Sequence, residues 1–197
     1  MTTYATLVAD IKKFMEDDGT EFSASIDTFI DLTELKLSRD LIVPAFRQRA
    51  TSALTASDPF ITLPSDLVAL ENLHLNVANV RSILLLRSDE FMIEFWPNRT
   101  VTGTPKYYSY YDNTTLYVAP TPASNINVEI SYRRRLPGLS ISNTTNWLSE
   151  NAFDCLLYGC LVEASSFNRN DAMMQKYTAL YQASVQAVNR EGNMRLS

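Results

Sequence analysis

Histidine occurs once in this chain, at position 74, cysteine twice and glycine five times. A single histidine leaves a Ser-His-Asp triad or a histidine-rich metal site little to draw on. It sits in Leu73-His74-Leu75, where strand alternation turns it away from both leucines, as a surface or strand-end residue. With so few glycines there is no GxGxxG or GxxxxGK[ST] loop to cradle a phosphate. Cys155 and Cys160 lie five apart on one expected helix. Their side chains point in different directions there and cannot bridge, so they read as buried thiols of a reducing compartment. No histidine neighbours Cys155 in the sequence to make it a nucleophile. Neither a metal nor a cofactor is implied.

A basic surplus is missing too. Lys and Arg total 17 against 22 Asp and Glu, a net charge of −5. A tight nucleic-acid binder has to neutralise phosphates, so this balance argues against one. It remains compatible with a wall past which DNA slides without sticking. No apolar stretch approaches a membrane span; the aliphatic run Ile83–Leu86 is far too short. Met1-Thr2-Thr3-Tyr4 has neither the basic nor the apolar region of a secretory signal. The Asn-X-Thr sequons at Asn98, Asn113 and Asn143 then read as chance matches in polar turns.

What is present is helical pattern at both ends and strand pattern between. Leu7, Ile11, Phe14 and Met15 predict a first helix capped by Thr2 or Thr3, ended at Asp17-Asp18-Gly19 with glycine supplying a left-handed turn. Ile26, Phe29, Ile30, Thr33, Leu37 and Leu41 predict a second, starting near Ser23 or Ser25 and stopped by Pro44. A short connection makes the two an antiparallel hairpin. Strand-like segments follow at 46–54, 60–63, 67–75, 80–86, 106–111, 115–118 and 126–132, with Ser88 capping a short helix at 90–95. The segment at 67–75 also fits a short helix. Ile126–Tyr132 is the clearest strand, because apolar and polar residues alternate through it. After Pro137–Gly138 a polar connector leads to an apolar helix over 153–167. A last helix carries Met173, Met174, Tyr177, Leu180, Tyr181, Val185 and Val188 and ends at Gly192, leaving a short tail. The fold class is therefore α+β. A four-helix body is formed by 1–44 and 138–197, with a β-rich insertion, a small antiparallel sheet or barrel, at 45–137. The terminal pairs need each other, since an isolated short helix is marginal in water.

Candidate chemistry is thin. Asp17-Asp18-Glu21 and Asp89-Glu90-Glu94 are carboxylate clusters, but a glycosidase needs its two acids across a cleft, one with a raised pKa. Asp89 and Glu90 have a simpler role in complementing a helix N-terminus. Arg133-Arg134-Arg135 is the one basic run. A strand sends Arg133 and Arg135 to one face and Arg134 to the other, suited to salt bridges with acidic neighbours or across a subunit interface. Tyr107, Tyr108, Tyr110 and Tyr111 suit a core, an interface or stacking on sugars or bases.

Five segments, in this order, resemble the head-to-tail adaptor (tail accessory) proteins of short-tailed bacteriophages. They are Phe29–Leu41 (FIDLTELKLSRDL), Leu63–Leu67 (LPSDL), Thr102–Tyr108 (TGTPKYY), Leu116–Pro122 (LYVAPTP), and Tyr132–Phe167 with its Asn146-Trp147-Leu148 and LLYGCLVEA helix. The likeness spans roughly residues 5–185. Leu67 stands where the family has an aromatic residue, and Ala152-Phe153 where it has a Pro-containing helix start, which affects packing more than role.

The resemblance implies a non-enzymatic virion protein with no cofactor, located in the neck or tail and assembled in the host cytoplasm. It implies a homo-oligomeric ring of twelve copies under the portal protein, joined to a tail nozzle or tail fibre protein. DNA would touch it only in passing through the channel, and no membrane is involved. By that analogy Arg190, Asn193, Met194, Arg195 and Leu196 meet the portal. Arg133, Arg134, Arg135, Tyr108 and Tyr110 are expected at subunit or tail interfaces, and Pro64, Gly103, Pro105 and Trp147 in structural roles. The alternatives are a tail-associated peptidoglycan hydrolase and a sugar-binding tail module.

Overall fold

Thr3 opens the first helix, α1 (Tyr4–Met15), with a reciprocal cap. Its hydroxyl accepts from the Thr6 N–H at 3.3 Å, and the Thr6 hydroxyl accepts from the Thr3 N–H at 2.7 Å. Leu7, Ile11 and Met15 are buried as their spacing predicts, whereas Phe14 remains half exposed. The helix closes on Glu16, which adopts the left-handed conformation at φ 52°. The expected left-handed glycine is not used: Gly19 has φ −56° and instead precedes α2 (Thr20–Asp40). That helix begins a turn earlier than Ser23 and ends before Pro44, which opens a 3-10 turn at Pro44–Phe46. The computed structural model describes residues 2–77 and 80–194.

Among the described residues, ten strands and a short helix follow. They are β1 (Arg47–Leu54), β2 (Phe60–Thr62), β3 (Leu67–Val77), β4 (Val80–Ile83), β5 (Leu85–Leu86), α3 (Asp89–Phe95), β6 (Thr102–Gly103), β7 (Tyr107–Tyr110), β8 (Thr115–Ala119), β9 (Thr121–Pro122) and β10 (Ile126–Arg134). The chain then forms α4 (Trp147–Asn151), α5 (Phe153–Phe167) and α6 (Asp171–Met194). The chain is mixed α+β with six α-helices among the described residues. Its contacts divide it into two compact units, residues 1–46 with 136–197, and residues 47–135.

In the helical unit α5 is the centre. It packs on α1, α2, α4 and α6, while α1 leans chiefly on α5 rather than on α2. Leu7, Ile11, Phe22, Ile26, Ile30, Leu37, Leu156 and Leu161 are among its buried core residues. Phe22, Phe29 and Phe167 form an aromatic trio with centroids 5.6–6.1 Å apart. Gly159 permits the close crossing of α5 on α2, because a Cβ there would stand 2.4 Å from Thr33 Cγ2. Gly192 does not end the last helix. It lies inside α6 and faces the Ile42 carbonyl, which a Cβ would approach to 2.5 Å. Composition at the chain end suggested a stop; a tight approach of backbone is what the glycine serves.

In the β unit two four-stranded sheets face each other across one core, with no closed barrel. The first, β1-β10-β3-β4, is antiparallel throughout. The second, β2-β8-β7-β5, ends in a parallel pair. Parallel strands need a crossover, and the chain runs from β5 through α3 and β6 before it enters β7. Ile126, Val128, Ile130 and Tyr132 point into the core with Leu54, Leu73, Leu75, Leu116 and Val118. A smaller cluster, Met92, Tyr117 and Ala119, seats α3. The segment at 67–75, legible as strand or helix, is strand. The turn expected at 102–105 contributes a two-residue bridge, β6 with β9.

Candidate functional site

Among the described residues no group of three or more His, Cys, Asp or Glu is placed to hold a metal, and no helix is long and apolar enough to cross a membrane. His74 stands on the outer face of β3, paired across the sheet with Glu129 and Ile83, while Leu73 and Leu75 face inward. Cys155 and Cys160 are buried and free; burial pushes their thiols up to about 11 and about 12, so neither is a thiolate at neutral pH. Glu90 is exposed at the start of α3, and its own backbone N–H together with the Ser88 hydroxyl holds its carboxyl below the usual range. A general acid of a glycosidase requires the opposite direction. Asp89 instead accepts a hydrogen bond from the buried Ser109 hydroxyl at 3.3 Å.

The tyrosine row is largely used by the fold itself. Tyr107 packs on Trp96 and Phe91 at 5.3 and 5.6 Å, with the Arg87 guanidinium 5.3 Å from its ring. Tyr111 lies on Phe60 at 4.9 Å, and Arg99 sits 5.0–5.9 Å from Phe60, Tyr111 and Tyr117. Tyr108 was expected at an interface with Tyr110. It is buried at 7% exposure within the core, because its strand position points between the sheets, and only Tyr110 of the two is exposed.

The arginine run divides at the end of β10. Arg133 pairs across the strand with Arg47, on the outer face. Arg134 lies past a register shift against β3, with its Nε buried and without a hydrogen-bond partner among the described residues. Arg135 lies beyond the strand, exposed, its N–H donating to the Asp66 carbonyl at 2.8 Å. Other arginines near the run form ion pairs as well. Arg47 meets Glu71 at 2.6 Å, and Arg81 and Arg49 share Glu129 at 2.9 and 3.7 Å.

The connector after the β unit is held by a residue that the pattern did not single out. Glu34 of α2 accepts from the Leu139 N–H at 3.1 Å and from Asn146 Nδ2 at 2.7 Å. Asn146 in turn caps α4, accepting from the Ser149 N–H at 3.1 Å. This cap, with serine where glutamate is usual, was the available signal for the missed helix. Trp147 then packs edge-on to Phe46 at 6.2 Å and is half-buried. Pro105 is buried, Pro64 closes a turn with the Leu67 N–H at 3.1 Å, and Gly103 lies where a Cβ would stand 3.0 Å from Pro120 Cγ.

At the chain end Arg190 and Met194 are exposed on the last turns of α6. The side chain of Asn193, and Arg195 and Leu196 altogether, lie outside the described residues.

No curated protein matches the chain. A family model does, under the description SU10 adaptor protein, and its match runs over residues 2–196, spanning both units. The match covers nearly the whole chain, and the chain belongs to the SU10 adaptor protein family, structural adaptors of bacteriophages.

Proposed function

We propose that the protein assembles as a ring, of twelve copies, beneath the portal of a bacteriophage virion, joins it to a tail nozzle or tail fibre protein, and leaves a channel through which DNA passes. The observation that carries this reading is the family match over residues 2–196. The two units suit two-sided binding if they act as separate domains, one for each neighbour. The helical unit takes the portal through the end of α6, with Arg190, Asn193, Met194, Arg195 and Leu196 in contact. The β unit takes a neighbouring subunit or tail protein through Arg133, Arg134, Arg135 and Tyr110. The place of action is the neck of the virion, after assembly in the host cytoplasm, and no catalytic step is required of any residue.

The test is co-expression with the portal, purification, and electron microscopy of the complex. The expected image is a ring of this protein under the portal, lost when residues 190–197 are removed. A protein that stays monomeric in the presence of portal overturns the ring. Unchanged portal binding after the truncation overturns the assignment of α6.

A further inference from the structure

Charge is segregated along this chain. Between Lys13 and Lys36 the sequence holds seven acidic residues and no basic one. Most of that stretch is α2, whose solvent side presents Glu21, Asp27 and Asp31. The outer face of sheet β1-β10-β3-β4 has the opposite character. Strand alternation places Arg47 and Arg49 of β1, Arg81 of β4 and Arg133 of β10 on that face, since Leu54, Val128, Ile130, Leu73 and Leu75 occupy the inward positions. Two glutamates, Glu71 and Glu129, lie among these four arginines. Arg47 and Arg133 are directly opposed across the ladder, an arrangement that is unfavourable for like charges. The face thus carries four arginines against two glutamates, a surplus that an anionic surface would meet.

We infer that the arginine face of the sheet docks on the acidic α2 surface of a second copy of this chain. The inference rests on the ring reading and supplies its subunit contact. One chain carries both complementary surfaces on different units, so the contact can repeat head to tail from copy to copy. In the ring each copy uses its sheet towards one neighbour and its α2 towards the other, a head-to-tail contact that closes when the rotation between copies is a whole fraction of a turn. Complementary fields of this kind select the partner and fix its register. Duplex DNA is the competing anion for the same face, and the test separates the two.

The experiment uses the full chain, with portal if the wild type requires it, and reads particle mass by mass photometry. Two double variants are made, R49E/R81E on the sheet and E21K/D31K on α2, with thermal melts to follow folding. Each variant is expected to lose assembly when pure, because its altered face repels its own copies. Mixing the two in equal amounts is expected to restore assembly, because each altered face then meets its complement. Restoration also excludes misfolding as the cause of the loss. If both variants assemble like the wild type, the docking assignment is overturned while the ring stands. Folded variants that stay apart after mixing overturn it too. Loss of duplex retention in R49E/R81E with assembly unchanged overturns it in favour of DNA. A wild type that never forms a ring with portal overturns both readings.

Discussion

The helical unit and the β unit are held and charged in opposite ways. The first carries fourteen acidic against eight basic residues, a net −6, and the second eight against nine, a net +1, which together make the chain's −5. The helical unit encloses a broad aliphatic and aromatic core around α5. The β unit exposes several large apolar side chains in one run, with Val80, Ile83, Leu85 and Leu86 between 44% and 66% exposed along two sheet edges. Exposed apolar edge strands are places where another chain adds on. The lesson concerns net charge. A value near −5 describes neither unit, and only the helical unit carries the acidic surplus that disfavours anionic partners.

The largest effects should break the comparison outright. Ile30→Ala in the helical unit and Val128→Ala in the β unit each remove a buried branched side chain, at a cost of about 2–5 kcal/mol for the first and somewhat less for the smaller valine. If the units are separate domains, calorimetry should find each substitution lowering one of two transitions; a single transition lowered equally by both would show one cooperative body. Next comes the clasp on the connector. Glu34→Ala leaves the Leu139 N–H without its carboxylate acceptor and Asn146 Nδ2 with the Pro137 carbonyl alone, and should cost ~1.5–3 kcal/mol by urea unfolding, with Glu34→Gln recovering part of the loss. Trp147→Ala should cost roughly 2 kcal/mol, less than a fully buried tryptophan, because the ring is half-buried against Phe46. A melting temperature unchanged by that substitution would mark Trp147 as a contact residue for a neighbour.

Smaller effects sharpen the contrast. Arg47→Gln should lower stability by at most ~1 kcal/mol, and that difference should vanish in high salt, because the Glu71 pair is exposed. Thiol chemistry reads one unit alone, since both cysteines lie in the helical unit. A thiol reagent should label neither at pH 8 without denaturant, and both once that unit opens. Their folded pKa values, about 11 and about 12, stand above the ordinary value near 9. Their contribution to stability is therefore intact below pH 9 and is lost as pH rises through 11. Rapid labelling of the native protein at pH 8 would contradict the burial of both groups.

Much of the local structure was legible in the sequence because it is written in short-range terms. Alternation from Ile126 to Tyr132 marked a strand, Ser88 marked the start of α3, and the spacing of Leu7, Ile11 and Met15 marked the buried stripe of α1. The misreadings occur where a distant residue decides. Gly192 resembled a helix stop until the Ile42 carbonyl was found against it, and Gly19 resembled a left-handed turn that Glu16 takes instead. Tyr108 and Tyr110 share one side of a strand, but Tyr108 falls between the sheets and Tyr110 at the strand's exposed end.

By itself the sequence determined the α+β class, the order of helical and strand segments, and the scarcity of groups for catalysis. Periodicity and composition encode those properties directly. Tertiary structure decided which glycines serve close packing, which glutamate holds the connector, and which arginines share a face. Those depend on register and on approach between residues far apart in the chain. The arginine run at 133–135 is conspicuous in one dimension, yet it divides at the end of β10. The charged surface is assembled instead from three strands, with Arg47 set opposite Arg133 and with Arg49 and Arg81 gathered on Glu129 by antiparallel pairing.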